Sequence, residues 1–346
     1  MTPLFGMTLS ELTTVATEVG LPRFAAKQMA DWLYKKNVET IDQMTNLPKS
    51  GRAQLAQKYT IGRMLPANVA ISVDGTKKYL FGNVGRQIET AFIPDADRAT
   101  LCVSSQVGCK MSCKFCMTGR QGYSDNLTAG EILNQMASIP EREQLTNMVY
   151  MGMGEPMDNL AQVLKSIEIL TSDWGYGWSP RRITVSTIGV MPATIEFVEK
   201  CEAHLAISLH NAISSERLAL MPTEKAFPIE KTIDALRHYD WTGQRRLSFE
   251  YTMFDNINDT TEHVAAITKL LAGIRCRINI INFNSIPDSD LRGSSKGKME
   301  HFRDQLNQRG FTATIRNSKG SDIFAACGLL STLEKRKNAL KTNESK

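Results

Sequence analysis

The stretch GCKMSCKFCMTG, residues 108–119, sets Cys109, Cys113 and Cys116 at a Cys-x3-Cys-x2-Cys spacing. A [4Fe–4S] cube has four irons held by thiolates, so three cysteines would leave one iron open. A structural zinc site takes four ligands, commonly from Cys-x2-Cys pairs set far apart. Here the first gap is three and no second pair follows. A disulfide would use two of the cysteines and leave the third over. The motif comes directly after a candidate strand, and in an α/β barrel the loops on that side of the strands form the active site.

Working outward, strands and helices alternate from about residue 98. Candidate strands are 99–105, 147–151, 182–187, 204–209, 246–254 and 277–283, with helical stretches between them and another at 297–309. Six βα units in series predict an α/β fold with a parallel sheet, as a partial (β/α)6 barrel or a doubly wound sheet. Residues 1–65 predict a small helical domain. Thr8 and Glu11 form a capping box ahead of Leu9, Leu12, Val15 and Ala16 at helical spacing. A second helix runs over 23–36 with Phe24, Met29, Trp32 and Leu33 as its apolar side. Residues 66–97 change to a strand period and predict a hairpin turning at Asp74-Gly75, followed by a further strand. The core then spans 98–334, and 335–346 is a polar tail.

Composition narrows the class. With 42% hydrophobic and 22% charged residues the chain is expected to be globular. No apolar run reaches the roughly 18 residues of a membrane helix, and no signal-peptide pattern opens the chain. A cytoplasmic protein without membrane contact is expected. Three clustered cysteines among seven suit ligands in a reducing compartment better than disulfide staples. Charge is uneven: residues 292–341 hold 11 Lys/Arg against 4 Asp/Glu, and residues 1–65 hold 8 against 5. Two basic ends on an otherwise acidic body suggest a polyanion partner. Arg23, Lys27, Lys35 and Lys36, with Arg292, Lys296, Lys298, Arg316 and Lys319, are the candidate phosphate contacts.

The cysteine spacing, with Phe115 before the last cysteine, resembles the radical S-adenosylmethionine (SAM) superfamily. That resemblance implies a [4Fe–4S] cluster on Cys109, Cys113 and Cys116, whose open iron chelates SAM. Electron transfer then cleaves SAM to a 5′-deoxyadenosyl radical. Further segments in order, IETAFIP…RATLCVSSQVGC, MGMGEPMDN, PRRITVSTIG, SLHN and TIRNSKGSDIFAACG, resemble the RlmN family over about residues 85–330. These enzymes methylate carbon 2 of a 23S rRNA adenosine, and some also modify the tRNA adenosine next to the anticodon.

The family resemblance implies two SAM molecules per turnover. The first methylates Cys327, and the radical made from the second activates that methyl group for addition to the adenine ring. Cys102 then releases the product through a transient disulfide with Cys327, and Glu89 is the proton acceptor. Glu89 read without the resemblance is an exposed strand charge. Gly154, Glu155, Ser186, Ser208, Leu209, His210 and Asn284 are the implied SAM contacts, and an electron donor such as flavodoxin is the implied partner. Cys201 and Cys276 stand outside any motif and read as structural. Phe324 departs from the family, where Asp commonly precedes Ala-Ala-Cys-Gly. The related Cfr enzymes methylate carbon 8 of the same adenosine, but the GEP of residues 154–156 fits the carbon-2 branch better.

Overall fold

The structure is a computed structural model, and it describes residues 1–332. The expected tail and the last two residues of the expected core lie outside this range. Ten strands make one sheet: β1 (Asn68–Ile71), β2 (Lys77–Phe81), β3 (Ile88–Asp95), β4 (Arg98–Cys102), β5 (Asn147–Tyr150), β6 (Ile183–Thr187), β7 (His204–Ser208), β8 (Leu247–Met253), β9 (Arg277–Asn282) and β10 (Thr312–Arg316). The first four form an antiparallel meander, and β4 to β10 run parallel in chain order. The two edges, β1 and β10, do not pair, so the barrel is partial.

Seven parallel strands replace the six expected. The missed strand, β10, is short, and its TATIR runs straight into a loop motif that obscured it. The helix over Ser214–Leu220 was also missed, because its SSERLAL follows the SLHN motif without a clear apolar period. The expected strand 99–105 ends early at Cys102. Beyond it, Gln106–Gly108 pairs with Tyr123–Asn126 as a small antiparallel ribbon that closes the base of the cysteine loop.

The parallel strands are buried because helices cover the sheet. Leu101, Met148, Val185, Leu205, Ile207, Phe249, Tyr251, Ile278 and Ile280 are all essentially inaccessible. The helices that pack on them start where the sequence supplies caps, as in the capping box of Thr128 and Glu131 ahead of Ala129–Ala137.

The N-terminal helices begin with Leu9–Glu18, capped reciprocally by Thr8 and Glu11 as expected. Ala25–Ala30 continues through a wider π turn, Asp31–Lys35, instead of one regular helix. Phe24 is a correction: it sits at the cap before that helix and is 66% exposed. The segment seats on the helix Ala129–Ala137. Arg63 donates to the Ala137 carbonyl at 2.7 Å, and the Met64 amide donates to Asn134 at 2.9 Å. Leu4, Leu12, Met29 and Leu33 join the same apolar cluster as the sheet.

Candidate active site at the carboxyl ends of the strands

A cavity of about 940 Å³, its open mouth included, lies at the carboxyl ends of β5 to β10. Each strand end contributes to it: Gly152, Gly154 and Glu155 after β5, Ser186 on β6, Ser208 and His210 from β7, Glu250 and Thr252 on β8, Asn284 after β9, and Arg316 on β10. Cys109, Cys113 and Cys116 line its wall from the loop after β4, and Cys327 completes it.

The three thiols line one cavity, but no three His, Cys, Asp or Glu side chains among the described residues converge as they would around a single metal ion. In a cluster the thiolates sit on separate irons, so three thiols lining one wall can hold one. Burial pushes the Cys109 thiol up to about 12 and raises Cys113 as well, with Cys116 adding to both shifts and Cys109 to that of Cys113. Buried thiols with this bias need a cationic partner to ionise. The donor set therefore fits an iron–sulfur cluster on three cysteines.

The GEP segment is built by close approach. Gly154 has φ +103°, and a β-carbon there would lie 2.6 Å from Gln106 Cβ. That same Gln106 side chain accepts the Glu155 amide at 2.8 Å. Glu155 is buried, with one carboxylate oxygen accepting the Met157 amide and the other the Ile188 amide, both at 3.0 Å. Burial raises its carboxyl from 4.5 to about 7, even with these hydrogen bonds opposing. A carboxylate has further lone pairs to offer an ammonium group, which would reverse that shift.

His210 sits at φ +54°, and its Nδ1 accepts the Thr252 amide at 3.0 Å. Its proton is therefore placed on Nε2. Burial, with the Arg217 charge nearby, lowers its pKa to about 3, so the ring is neutral. Phe115, from within the cysteine motif, packs edge-on against it with ring centres 4.8 Å apart. Asn284 Nδ2 is buried and has no hydrogen-bond partner among the described residues. An unpaired donor is costly, so this atom calls for an acceptor such as a ligand carboxylate. Alternation at the end of β7 turns Ser208 and His210 to the cavity and the side chain of Leu209 into the core.

A second cavity, about 1520 Å³ with its open mouth, adjoins the first. Cys116, Met151, Gly152, Ile281, Arg316, Cys327 and Gly328 border both, and Cys102 borders the second only. Asp95, Arg98 and Lys319 stand among its lining residues, so it carries charge of both signs. Thus Cys102 and Cys327, 225 positions apart, reach one space. No disulfide joins them; all seven cysteines are free. Burial pushes Cys102 up to about 12, with nearby Cys327 adding to the shift, so this pair is biased toward neutral thiols. Cys201 and Cys276 line neither cavity.

Glu89 is neither an exposed strand charge nor a cavity-lining residue. It is 1% exposed, pairs with Lys78 at 3.3 Å, and accepts the Ser331 amide at 3.1 Å. It shares a strand face with Ala91, which packs against Cys102 and Ala325, and with Ile93, which lines the second cavity.

Sequence reasoning missed two groups. Glu250 joins Arg316 at 3.2 Å beside Cys327, and Asn279 donates to Glu250 at 2.7 Å. Arg316 is therefore committed to the cavity wall and is not a free phosphate contact. Arg217 is fully buried, ion-paired to Glu224, and gathers the carbonyls of Leu209, Ser208 and Ile188. It fixes the ends of β6 and β7. Lys298 is likewise committed, to Asp255 and Asp259. A charge pair on strands far apart in sequence leaves no local pattern to find.

Residues 103–270 match the family model described as "Radical SAM superfamily", and residues 2–61 match "Ribosomal RNA large subunit methyltransferase N-terminal domain". A "Probable dual-specificity RNA methyltransferase RlmN" of Parabacteroides distasonis is 56% identical over 95% of this chain and 96% of its own. The "Dual-specificity RNA methyltransferase RlmN" of Marinobacter nauticus is 40% identical over 94% and 92%. Among solved structures, a radical SAM methyltransferase from Sphaerobacter thermophilus superposes with a TM-score of 0.89 at 38% identity, covering 95% of this chain and 99% of that one. The superfamily implies SAM and a [4Fe–4S] cluster as cofactors. The seven parallel strands, the three-thiol wall and these full-length likenesses agree: the chain belongs to the RlmN family of radical SAM methyltransferases.

Proposed function

We propose that the protein is a dual-specificity RNA methyltransferase. Its substrates would be carbon 2 of a 23S rRNA adenosine and the tRNA adenosine next to the anticodon, with two SAM molecules used per turnover. The observation that carries this reading is the position of Cys327, which borders both cavities, one beside the three-cysteine wall and the other shared with Cys102. The names of its relatives support an RNA substrate.

In this reading Cys109, Cys113 and Cys116 hold the cluster, which when bound supplies the electron that cleaves SAM. Glu155 accepts from the SAM ammonium, and Asn284 Nδ2 donates to its carboxylate. Gly154, Ser186, Ser208, neutral His210 and the backbone of Leu209 shape the rest of that pocket. Cys327 takes the methyl group on its sulfur and presents it to the adenine in the second cavity. The ring carbon at position 2 is electron-poor and would not attack a methyl cation donor; held on the Cys327 sulfur, the methyl group can instead lose a hydrogen atom to the radical made from the second SAM, and the resulting carbon radical can add to such a ring. Cys102 resolves the protein–RNA link, and Glu89, on the face behind it, takes the proton once Ser331 and Lys78 yield.

The target base must leave its stack to enter, at a cost of a few kcal/mol unless a loop already exposes it. The helical segment 1–65, with Arg23, Lys27 and Lys35 exposed, would grip RNA phosphates. A cytoplasmic location and a flavodoxin-type electron donor complete the proposal. Anaerobic reaction with unmodified 23S rRNA and with tRNA, followed by mass spectrometry of the nucleosides, tests it. 2-Methyladenosine from both RNAs is expected. The 8-methyl isomer would assign the Cfr chemistry instead.

A further inference from the structure

The loop that carries Cys327 is held from two sides. On one side stands the short helix Met117–Gln121, which directly follows the cysteine motif. The Met117 amide donates to the Gly328 carbonyl at 2.8 Å, and the Thr118 hydroxyl donates to the Leu330 carbonyl at 2.6 Å. Gln121 Oε1 accepts the Thr332 amide at 2.8 Å.

On the other side stands the hairpin β1–β2, nearly 250 positions away in sequence. The Gly320 amide donates to Asp74 Oδ2 at 2.9 Å. The Ser72 hydroxyl donates to Asp322 Oδ1 at 2.6 Å, and the Val73 amide donates to Asp322 Oδ2 at 3.2 Å. Lys78 Nζ donates to the Phe324 carbonyl at 3.2 Å while pairing with Glu89. Thus the hairpin turn contributes a carboxylate to the loop, and the loop returns one to the turn.

The fit is tight as well as bonded. Gly320 has φ +65°, and a β-carbon there would lie 2.7 Å from Thr76 Cγ2 and 2.9 Å from Ala325 Cβ. Phe324 is held at φ +54°, a strained conformation for a non-glycine residue. Such strain persists only where the surroundings over-determine it, and Lys78 is one of those constraints. Asp74 is built into the join. Burial alone would raise its carboxyl, but hydrogen bonds from Thr76, Gly320 and Ser72 hold it well below the usual carboxylate range.

We propose that the hairpin β1–β2 is a clasp that fixes the loop carrying Cys327, with Asp74 and Asp322 as positioning residues for methyl transfer. The proposal rests on the role given to Cys327 above. That thiol must serve two cavities, one for each partner. Reaction needs the atoms within roughly 3–3.5 Å and aligned, and a misplacement of about 1 Å can cost about 100-fold. A loop with no regular secondary structure beyond one short turn does not hold such a position alone. The clasp holds its leading half, and the helix after the cysteine motif holds its trailing half, so the thiol is referenced to the sheet and to the cluster loop at once.

The test compares wild type with Asp74→Ala/Asp322→Ala and with Asp74→Asn/Asp322→Asn. The readouts are methyladenosine formed per SAM cleaved, the anaerobic rate at which iodoacetamide alkylates Cys327 by peptide mass spectrometry, and the melting temperature. The clasp predicts that the alanine pair still cleaves SAM, that product per SAM cleaved falls about 10-fold or more, and that Cys327 alkylates several-fold faster while Cys276 does not. The asparagine pair keeps one acceptor oxygen at each position and turns the other into a donor, so it restores only part of the coupling. Should the alanine pair fail to fold, Asp322→Ala alone, at an exposed position, is read the same way. A folded alanine variant with wild-type coupling and wild-type Cys327 alkylation overturns the clasp. A Cys327→Ala protein that still methylates RNA would remove the role of the thiol instead, and the alkylation readout would still judge the clasp.

Discussion

The Arg316 guanidinium lies 3.2 Å from the Glu250 carboxylate, and both border the cavity onto which Cys327 opens. Cys327 is an exposed residue, yet crowding around its sulfur raises the thiol, the Arg316 charge lowers it, and Glu250 raises it again. Arg316→Met should therefore raise the apparent pKa of Cys327 and slow its alkylation at neutral pH. Glu250→Gln, which leaves Arg316 unopposed, should do the reverse. The pH dependence of Cys327 alkylation, followed on its own peptide, checks both signs.

Glu155 makes the stability of the SAM-free protein depend on pH. Its carboxyl titrates near 7 when folded and near 4.5 when unfolded, so the folded state binds the proton more tightly. Its contribution is present below about 4.5 and is lost as pH rises to about 7, a loss on the order of 3 kcal/mol. Glu155→Gln should remove this slope. Melting temperatures of both proteins between pH 4.5 and 8 measure it, and added SAM should lessen the slope in the wild type only.

Gly154→Ala should damage the same corner sterically. The new methyl would meet Gln106 Cβ, and Gln106 holds the Glu155 amide. At φ +103° the substitution is strained as well, so a loss of roughly 1–3 kcal/mol is expected, with weaker SAM binding. Thermal melts and equilibrium dialysis with SAM report the two effects separately.

What could be read from sequence was local. The capping box Thr8–Glu11 predicted a helix start that the structure reproduces. The cysteine spacing pointed to the cluster loop. What escaped was register and depth. Glu250 and Arg316 meet only because β8, β9 and β10 align Glu250 with Asn279 and Arg316 with Ile281. Glu89 carries no sign in its QIET context that Lys78 and Ser331 will enclose it. Phe24 fits a helical period yet lies just outside the helix, where periodicity no longer governs.

Neutralising Arg23, Lys27 and Lys35 together, as glutamines, should weaken RNA binding across sequences and leave SAM cleavage intact. The slope of log affinity against log salt should flatten by about one for each RNA phosphate that no longer meets a cation. Binding isotherms at several salt concentrations show it. An unchanged slope would move the RNA interface away from the N-terminal helices.

The central claim is that Cys327 carries the methyl group between SAM and RNA. Its most direct measurement is mass spectrometry of the Cys327 peptide after the reconstituted protein has met SAM and reductant without RNA. A methyl group on Cys327, none on Cys102, and disappearance of that methyl when unmodified RNA is added are predicted. An unmethylated Cys327 in a protein that goes on to methylate RNA would contradict the account.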